Sequence, residues 1–245
     1  MVQPHIRLDE SLGIKYAVLP GDPARVDRVA EQLENVQTLQ FNREYKSIRG
    51  TYQGVPVLAM STGMGGPSVA IGVEELRNIG VTHLIRIGSC GALQQGIGLG
   101  DLILVSAAVR DDGTSRTYVP AQYPAIADPD LLQACIRSAK ERGFHYHVGI
   151  GRTHDSFYID DDEQICAQWS ARGVLGSDME TAALFTVAGL RGMKAASILN
   201  NVVLWGAGTA EGIGSYADGA DLTAQGERNE ITVALDAFVK VERGQ

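Results

Sequence analysis

Short apolar runs alternate along the chain with longer segments in which apolar residues recur at helical spacing. The short runs predict β-strands, and the longer amphipathic segments predict helices. Strands separated by helices indicate an α/β fold with a buried, mixed sheet. The predicted strands are Tyr16–Leu19, Thr51–Tyr52, Val55–Met60, Leu84–Ile87, Leu102–Ala107, His147–Ile150, Ala195–Leu199 and Val202–Trp205. The predicted helices are Pro23–Leu33, Pro67–Asn78, Pro129–Arg142, Asp161–Ala171, Met179–Leu190 and Glu230–Glu242.

One segment, Gly206–Arg228, departs from this alternation. Six glycines, together with Ala, Ser, Thr and Asp, give it the composition of a loop. Loops of this length are usually functional or mobile, so the segment is either a lid over a site or a disordered surface insertion. No proline-rich or charged linker divides the chain. We therefore expect residues 1–245 to form a single domain, a three-layer sandwich with a mixed central β-sheet flanked by helices.

The composition of the chain excludes several classes of function and indicates a cellular compartment. The chain of 245 residues is long enough to bury a core, and its net charge of −8 argues against general nucleic-acid binding. Cys90, Cys135 and Cys166 have no CxxC spacing, which argues against a disulfide framework or a zinc ribbon and fits a reducing cytoplasm. No segment approaches the length of a membrane span, and the start has no apolar signal core. These features predict a cytoplasmic protein that binds neither nucleic acid nor membrane.

Arginines near glycine-rich turns are the main candidates for chemistry. Arg25 follows the turn at Gly21, Arg43 precedes the second apolar run, and Arg86 leads into Gly-Ser-Cys-Gly, which includes Ser89. Arginine binds a phosphate dianion bidentately, and glycine lets backbone N–H groups approach it. Arg86 also lies in an apolar strand, where a buried guanidinium needs either a structural carboxylate or an anionic ligand. The pattern indicates a small phosphate-binding pocket.

Taken in order, the motifs resemble those of the hexameric nucleoside phosphorylases, the family of uridine phosphorylase and bacterial purine nucleoside phosphorylase. Each motif is short, but the ordered set is specific, and the match runs from Pro4 to about Val203. The segment Val105–Ala127 is similar to the uridine branch in particular. The motifs that carry the resemblance are Pro20–Arg25, Arg43, Ser61–Ser68, Arg86–Gly91, Asp155–Tyr158 and Asp178–Glu180.

The resemblance implies reversible phosphorolysis of a nucleoside to a free base and (deoxy)ribose 1-phosphate. Inorganic phosphate would be the co-substrate, with no metal or other cofactor, and the chain would form a homo-oligomer, a hexamer built as a trimer of dimers. Arg86 and Glu180 would be the catalytic residues, and His5 and Arg43 would act across the dimer interface. The implied phosphate-binding residues are Gly21, Arg25, Arg43, Arg86 and Ser89. The implied ribose-binding residues are His5, Met179 and Glu180, and the base-binding residues are Phe157, Val202, Val203 and Trp205.

The base half of the site matches neither branch of the family. Val203 stands where the purine branch has an Asp, and an aliphatic side chain cannot protonate a leaving purine. The Gln-x-Arg pair with which the uridine branch reads uracil is missing after Phe157, and Trp205 replaces a further expected Arg. The absence of the purine-branch acid favours the uridine branch, so the resemblance implies a uridine phosphorylase-like enzyme. The alternatives are a purine nucleoside phosphorylase, a catalytically inactive nucleoside-binding protein and, less favoured because of the three arginines, a hydrolytic nucleosidase.

Several of these residues also have simpler interpretations. Asp178 could only cap the helix that follows it, because acidic residues are common at helix N-termini. His145 and His147 alternate as on a strand and could share a metal, but no third ligand is apparent. The glycines of 63–66 do not have the spacing of a dinucleotide-binding fingerprint.

Overall fold

The computed structural model describes residues 1–207 and 221–245. Ten strands and seven helices lie within these residues, together with a single 3-10 turn at Glu10–Leu12. The strands are β1 Tyr16–Pro20, β2 Glu34–Asn42, β3 Tyr45–Tyr52, β4 Val55–Met60, β5 His83–Ala92, β6 Leu102–Asp111, β7 Ala125–Ile126, β8 Tyr146–His154, β9 Gly176–Asp178 and β10 Lys194–Val203. The helices are α1 Pro23–Ala30, α2 Gly66–Asn78, α3 Gly113–Tyr118, α4 Pro129–Arg142, α5 Asp162–Ser170, α6 Thr181–Leu190 and α7 Asp221–Glu242.

Two apolar cores lie on opposite faces of the sheet. Successive residues of β1 alternate between them, so that Ala17 and Leu19 join one core while Tyr16 and Val18 join the other. This alternation follows from the two-residue period of a strand. Helices α2 and α6 cover the first core, and α1, α4 and α7 cover the second. The arrangement confirms the predicted α/β class, with a mixed central sheet flanked by helices.

The sheet runs in the order β10-β6-β8-β9-β5-β1-β4-β3-β2, and β10 also pairs with β5. Five strands, β10, β6, β8, β9 and β5, therefore close into a ring at one end of the sheet. The ring is mixed, because β5 is parallel to β10 but antiparallel to β9. The sequence did not predict this closure, since the closing strand β9 has three residues and no apolar pattern.

Local turn and capping signals placed most elements correctly. Helix α4 has the predicted bounds, with Asp128 as its N-cap and Gly143 in the left-handed conformation as its C-cap. Both turn residues of the β3–β4 hairpin, Gln53 and Gly54, have positive φ, as a tight two-residue hairpin turn requires. Strand β2 was missed because most of its residues are exposed, so it has no apolar alternation.

The predicted loop Gly206–Arg228 is wrong over its last eight residues, Asp221–Arg228, which form the start of α7. The helix begins nine residues before the predicted start at Glu230. Residues 208–220 of the predicted loop or lid lie outside the described residues. Among the helices of 1–207 and 221–245, none is both long and apolar enough to cross a bilayer.

Candidate active site

Residues at the carboxyl ends of β1, β5, β8, β9 and β10 surround one cleft of about 1530 Å³. The cleft brings together side chains that are far apart in the sequence and that belong to the predicted phosphate, ribose and base groups. The sequence-predicted residues that line it are Gly21, Arg25, Arg86, Ser89, Phe157, Met179, Glu180, Val203 and Trp205.

Arg86 lies at the centre of the cleft between two carboxylates. It is 4% exposed; its Nε donates to Asp178 at 3.0 Å and its Nη2 lies 2.5 Å from Glu180. The guanidinium folds over its own strand at Gly88, where an added Cβ would lie 2.5 Å from Nη2. Nη1 is buried and has no hydrogen-bond partner within residues 1–207 and 221–245. The structural carboxylates therefore satisfy two of the guanidinium nitrogens and leave the third for an anionic ligand.

Asp178 combines the two roles that the sequence left open. One of its oxygens accepts from Arg86 and also from the backbone N–H of Thr181 at the start of α6, at 3.0 Å. The other accepts from the Thr153 hydroxyl of β8 at 2.6 Å. Asp178 thus caps a helix and orients Arg86 at the same time.

Glu180 is the N-cap residue of α6, which begins at Thr181. The predicted helix Met179–Leu190 had included Glu180. Its Oε1 accepts the backbone N–H of Gly65 at 2.6 Å, and its other oxygen faces Arg86. Burial raises the pKa of Glu180, and the positive charge of Arg86 opposes this effect. One guanidinium thus faces two buried carboxyl groups, and its single positive charge can balance only one of them when both are ionised.

Arg25 has acidic partners that the sequence analysis missed. It is 3% exposed in the first turn of α1, and its Nε donates to Glu227 of α7 at 2.8 Å. Its Nη1 lies 3.6 Å from the fully buried Glu230. A buried arginine needs such partners, but Glu227 stood in the predicted loop and Glu230 in the first turn of the closing helix. The usable signal was a pair of acidic residues three apart, which share one face of a helix.

Gly21 and Ser89, two further residues predicted to bind phosphate, also line the cleft. The carbonyl of Gly21 accepts the N–H of Gly63 at 2.9 Å, and an added Cβ at position 21 would lie 3.1 Å from the Gly63 oxygen. The close backbone approach explains why glycine is suited to this turn. Ser89 follows Arg86 on β5 and is half-buried at the cleft surface.

Comparison with known proteins decides the family. Residues 15–210 match the phosphorylase superfamily. The chain belongs to this family. It is 39% identical over 209 residues to uridine phosphorylase from Thermococcus kodakarensis, covering 80% of this chain and 76% of that protein. It is 38% identical over 196 residues to guanosine phosphorylase from Halorubrum lacusprofundi, covering 80% of this chain and 81% of the relative. The crystal structure of uridine phosphorylase from Vibrio fischeri ES114 superposes with a TM-score of 0.91 at 44% identity, covering 97% of each chain.

Membership of the phosphorylase superfamily confirms the predicted activity class. The chain is a nucleoside phosphorylase, an enzyme of the pentosyltransferase class, and uridine phosphorylases are well represented among its relatives. The similar proteins include enzymes named for a pyrimidine nucleoside and for a purine nucleoside. The family alone therefore does not determine the base.

Two of the residues predicted from the phosphorylase resemblance, His5 and Arg43, are not among those that line the cleft of their own chain. His5 is held near the chain start by Glu75 of α2, which accepts the backbone N–H groups of His5 and Ile6 and lies 2.6 Å from the His5 ring. Asn42 donates to the His5 carbonyl at 2.7 Å, which places the neighbouring Arg43 close by. Arg43 is exposed at the β2–β3 turn with φ of 55°. The sequence did not predict that Glu75 anchors His5.

Of the residues predicted to bind the base, Phe157, Val203 and Trp205 line the cleft, whereas Val202 is buried in β10 and does not. A bulge between Asn201 and Val203 changes the pairing of β10 with β5 at this point. The base-binding role of Val202 stays a prediction from the resemblance, without contact with the cleft in this chain.

Of the two histidines considered for metal binding, His145 and His147, the second pairs with a carboxylate. His147 Nε2 lies 3.0 Å from Asp101, and both side chains are partly exposed. The part of the chain that the structure describes holds no group of three or more His, Cys, Asp or Glu suited to a metal ion.

Proposed function

We propose that this chain is a uridine phosphorylase-like enzyme that transfers a pentosyl group from a pyrimidine nucleoside to inorganic phosphate. The main support is the contact between Arg86 and Glu180, whose side chains lie 2.5 Å apart in the cleft. Arg86 is the phosphate candidate and Glu180 the ribose candidate. Their contact would put the nucleophile directly beside the sugar carbon that it attacks.

The chemistry requires positioning and charge rather than a covalent intermediate. C1′ becomes cationic as the glycosidic bond breaks, as in glycoside hydrolysis. A phosphate dianion held by Gly21, Arg25, Arg86 and Ser89 would serve as both nucleophile and counter-charge. Glu180 would accept hydrogen bonds from the ribose hydroxyls, with Met179 against the sugar. Phosphate is the co-substrate, and the proposal requires no metal or other cofactor.

Replacement of Arg86 tests the phosphate role. Arg86→Ala should lower kcat/KM by at least about 100-fold, because it removes charge-assisted contacts to the nucleophile. Arg86→Lys retains the charge and should recover part of the activity. Arg49→Ala, at an exposed position on β3, is the matched control. Folding is checked by circular dichroism, because Arg86→Ala leaves two buried carboxylates without their cation.

A panel of nucleosides, incubated with and without phosphate and assayed for free base, tests the reaction class. Base release that requires phosphate is the expected result. Equal release in phosphate-free buffer would indicate a nucleosidase, and no release would indicate a binding protein. The alternative function, a purine nucleoside phosphorylase, is supported by the similarity to the Halorubrum guanosine phosphorylase. Guanosine and inosine in the same panel distinguish it.

We also propose that the whole chain, residues 1–245, forms one nucleoside phosphorylase domain and assembles as a hexamer, a trimer of dimers. His5 and Arg43 support the assembly, since neither lines the cleft of its own chain and Asn42, the neighbour of Arg43, donates to the His5 carbonyl. In a dimer they could contribute to the partner's cleft. We assign the enzyme to the cytoplasm and to nucleoside salvage. The compartment is supported by Cys90, Cys135 and Cys166, all of which are free thiols.

A further inference from the structure

Three polar side chains share one face of the sheet, and two of them, but not the buried Arg152, line the cleft. His154 of β8 and Ser177 of β9 line the cleft. Arg152 lies two residues before His154 and is in register with Ser177 across the parallel β8–β9 pair. Side chains two apart on a strand point to the same face, and so do in-register neighbours. None of the three was singled out from the sequence, and the catalytic chemistry described above does not use them.

One nitrogen of the Arg152 guanidinium is paired with a carboxylate, and another has no hydrogen-bond partner within the described residues. Arg152 is 3% exposed, and its Nε donates to Asp111 at 2.8 Å. Trp169 donates to the same carboxylate oxygen at 3.0 Å. Arg152 Nη1 and Ser177 Oγ are both buried without a hydrogen-bond partner in the described ranges. Buried polar groups of this kind are rarely left unpaired in folded proteins, so the Ser177 hydroxyl, whose residue lines the cleft, can donate to a ligand with an acceptor atom.

His154 supplies the complementary acceptor. Its Nδ1 lies 3.0 Å from the carbonyl oxygen of Ser156. A carbonyl oxygen only accepts, so Nδ1 carries the hydrogen, and in the neutral ring Nε2 has a free lone pair. Burial, together with the charge of Arg152, lowers the pKa of His154. The ring is therefore neutral near pH 7, with Nε2 able to accept a hydrogen bond.

We propose that His154 and Ser177 recognise the base, with His154 Nε2 accepting a ring N–H and the Ser177 hydroxyl donating to the adjacent carbonyl oxygen. An acceptor beside a donor complements the –NH–C(=O)– edge of uracil, thymine and hypoxanthine. It mismatches cytosine and adenine, which present an unprotonated ring nitrogen and an amino group. The inference rests on the proposed function and deepens it, because it names oxo bases as the substrate class. It also supplies two residues for the task left open by the missing Gln-x-Arg pair.

Substrates with and without the ring N–H give the sharpest test. N3-methyluridine has the uracil shape but lacks the N–H, so the wild type should prefer uridine by about 100-fold or more in kcat/KM. His154→Phe keeps a ring of similar size but removes the acceptor. It should lower kcat/KM for uridine and leave N3-methyluridine nearly unchanged, so that the preference collapses. Inosine and 1-methylinosine form the equivalent pair if the enzyme acts on purines.

A second variant and a matched control separate base recognition from folding. Ser177→Ala removes the hydroxyl donor with little change in side-chain volume, so the nucleoside KM should rise while the phosphate KM stays constant. His147→Phe makes the same ring change on the same strand, at a residue outside the cleft, and should leave both substrate preferences intact. Thermal unfolding of each variant verifies that it is folded.

Calorimetric binding of the same nucleosides tests base recognition separately from the reaction class. A wild type that releases no base but binds uridine more tightly than N3-methyluridine through His154 would disprove the reaction class and support the base assignment. A uridine-to-N3-methyluridine ratio that is the same in wild type and His154→Phe, in both kinetics and binding, together with an unchanged nucleoside KM in Ser177→Ala, would overturn the inference. The same ratio test applies to the inosine pair.

Discussion

Glu230 of α7 should make the stability of the protein fall as pH rises. The side chain is completely buried; one oxygen accepts the Gly88 N–H at 3.1 Å, and the other lies 3.6 Å from Arg25. Burial raises its pKa to about 8 from the usual 4.5, although the Arg25 charge acts in the opposite direction. Between these two values the unfolded chain has released the proton and the folded chain still holds it. Raising the pH therefore favours unfolding.

The substitution Glu230→Gln removes this titration but retains an oxygen that can accept from Gly88. The free energy of unfolding of wild type and variant should differ little at pH 5. At pH 8 the variant should be more stable by about 3 kcal/mol, the penalty accumulated by a carboxyl with this shift across that interval. Urea titration followed by circular dichroism, at fixed protein concentration, measures the difference at each pH.

The sign of the pH trend is the decisive result. If Arg25 held Glu230 ionised in the folded state, the wild type would instead gain stability over the variant as pH rises. A difference that stays flat or takes that opposite sign from pH 5 to pH 8 would refute the reasoning. Glu34→Gln, at an exposed position on β2, serves as the control and should show no such trend.

Three further predictions concern the proposed dimer site and the helix cap. Glu75→Ala removes the carboxylate that holds the backbone N–H and the ring of His5. The nucleoside KM should therefore rise about tenfold, while the phosphate KM stays unchanged. Steady-state kinetics that show no change in the nucleoside KM would contradict the ribose role of His5. Inactive Arg43→Ala and Arg86→Ala proteins should regain activity after subunit exchange, because one site of each mixed dimer is intact; mixed oligomers seen by native mass spectrometry without activity would disprove sharing. Asp178→Asn should cost about 1–3 kcal/mol in urea unfolding, and an unaltered midpoint would argue against its capping and pairing roles.

The sequence could predict that the proposed phosphate-binding residues lie together, because the signals that mark them are local. Gly21 and Arg25 belong to one strand–turn–helix unit, and Arg86 belongs to a strand that runs into small residues. Turn chemistry of this kind is readable over a few residues. The same reasoning missed Glu227 and Glu230, because glycine-rich composition marked the start of α7 as a loop. Tertiary packing of the helix overrode that local signal.

The residues proposed to recognise the base, by contrast, could not be identified from local sequence signals. The sequence revealed that the expected Gln-x-Arg pair was absent, but it gave no sign of a substitute. His154 and Ser177 are far apart in the chain and are brought to one face of the sheet only through the pairing of β8 with β9. Strand β9 is too short to be detected from periodicity. An arrangement that depends on such a strand cannot be found without the sheet register.

The closed ring of β10, β6, β8, β9 and β5 restricts how a new base preference could evolve in this chain. A ring has no free edge, so a strand cannot slip in register unless the shift is absorbed by every other pairing around it. His154, Asp178 and Val203 all occupy the last positions of ring strands. Insertions within those strands would displace the proposed ribose- and phosphate-binding residues together with the proposed base-binding residues. Changes of specificity should therefore accumulate as replacements of side chains at strand ends and as length changes in the connections that follow them.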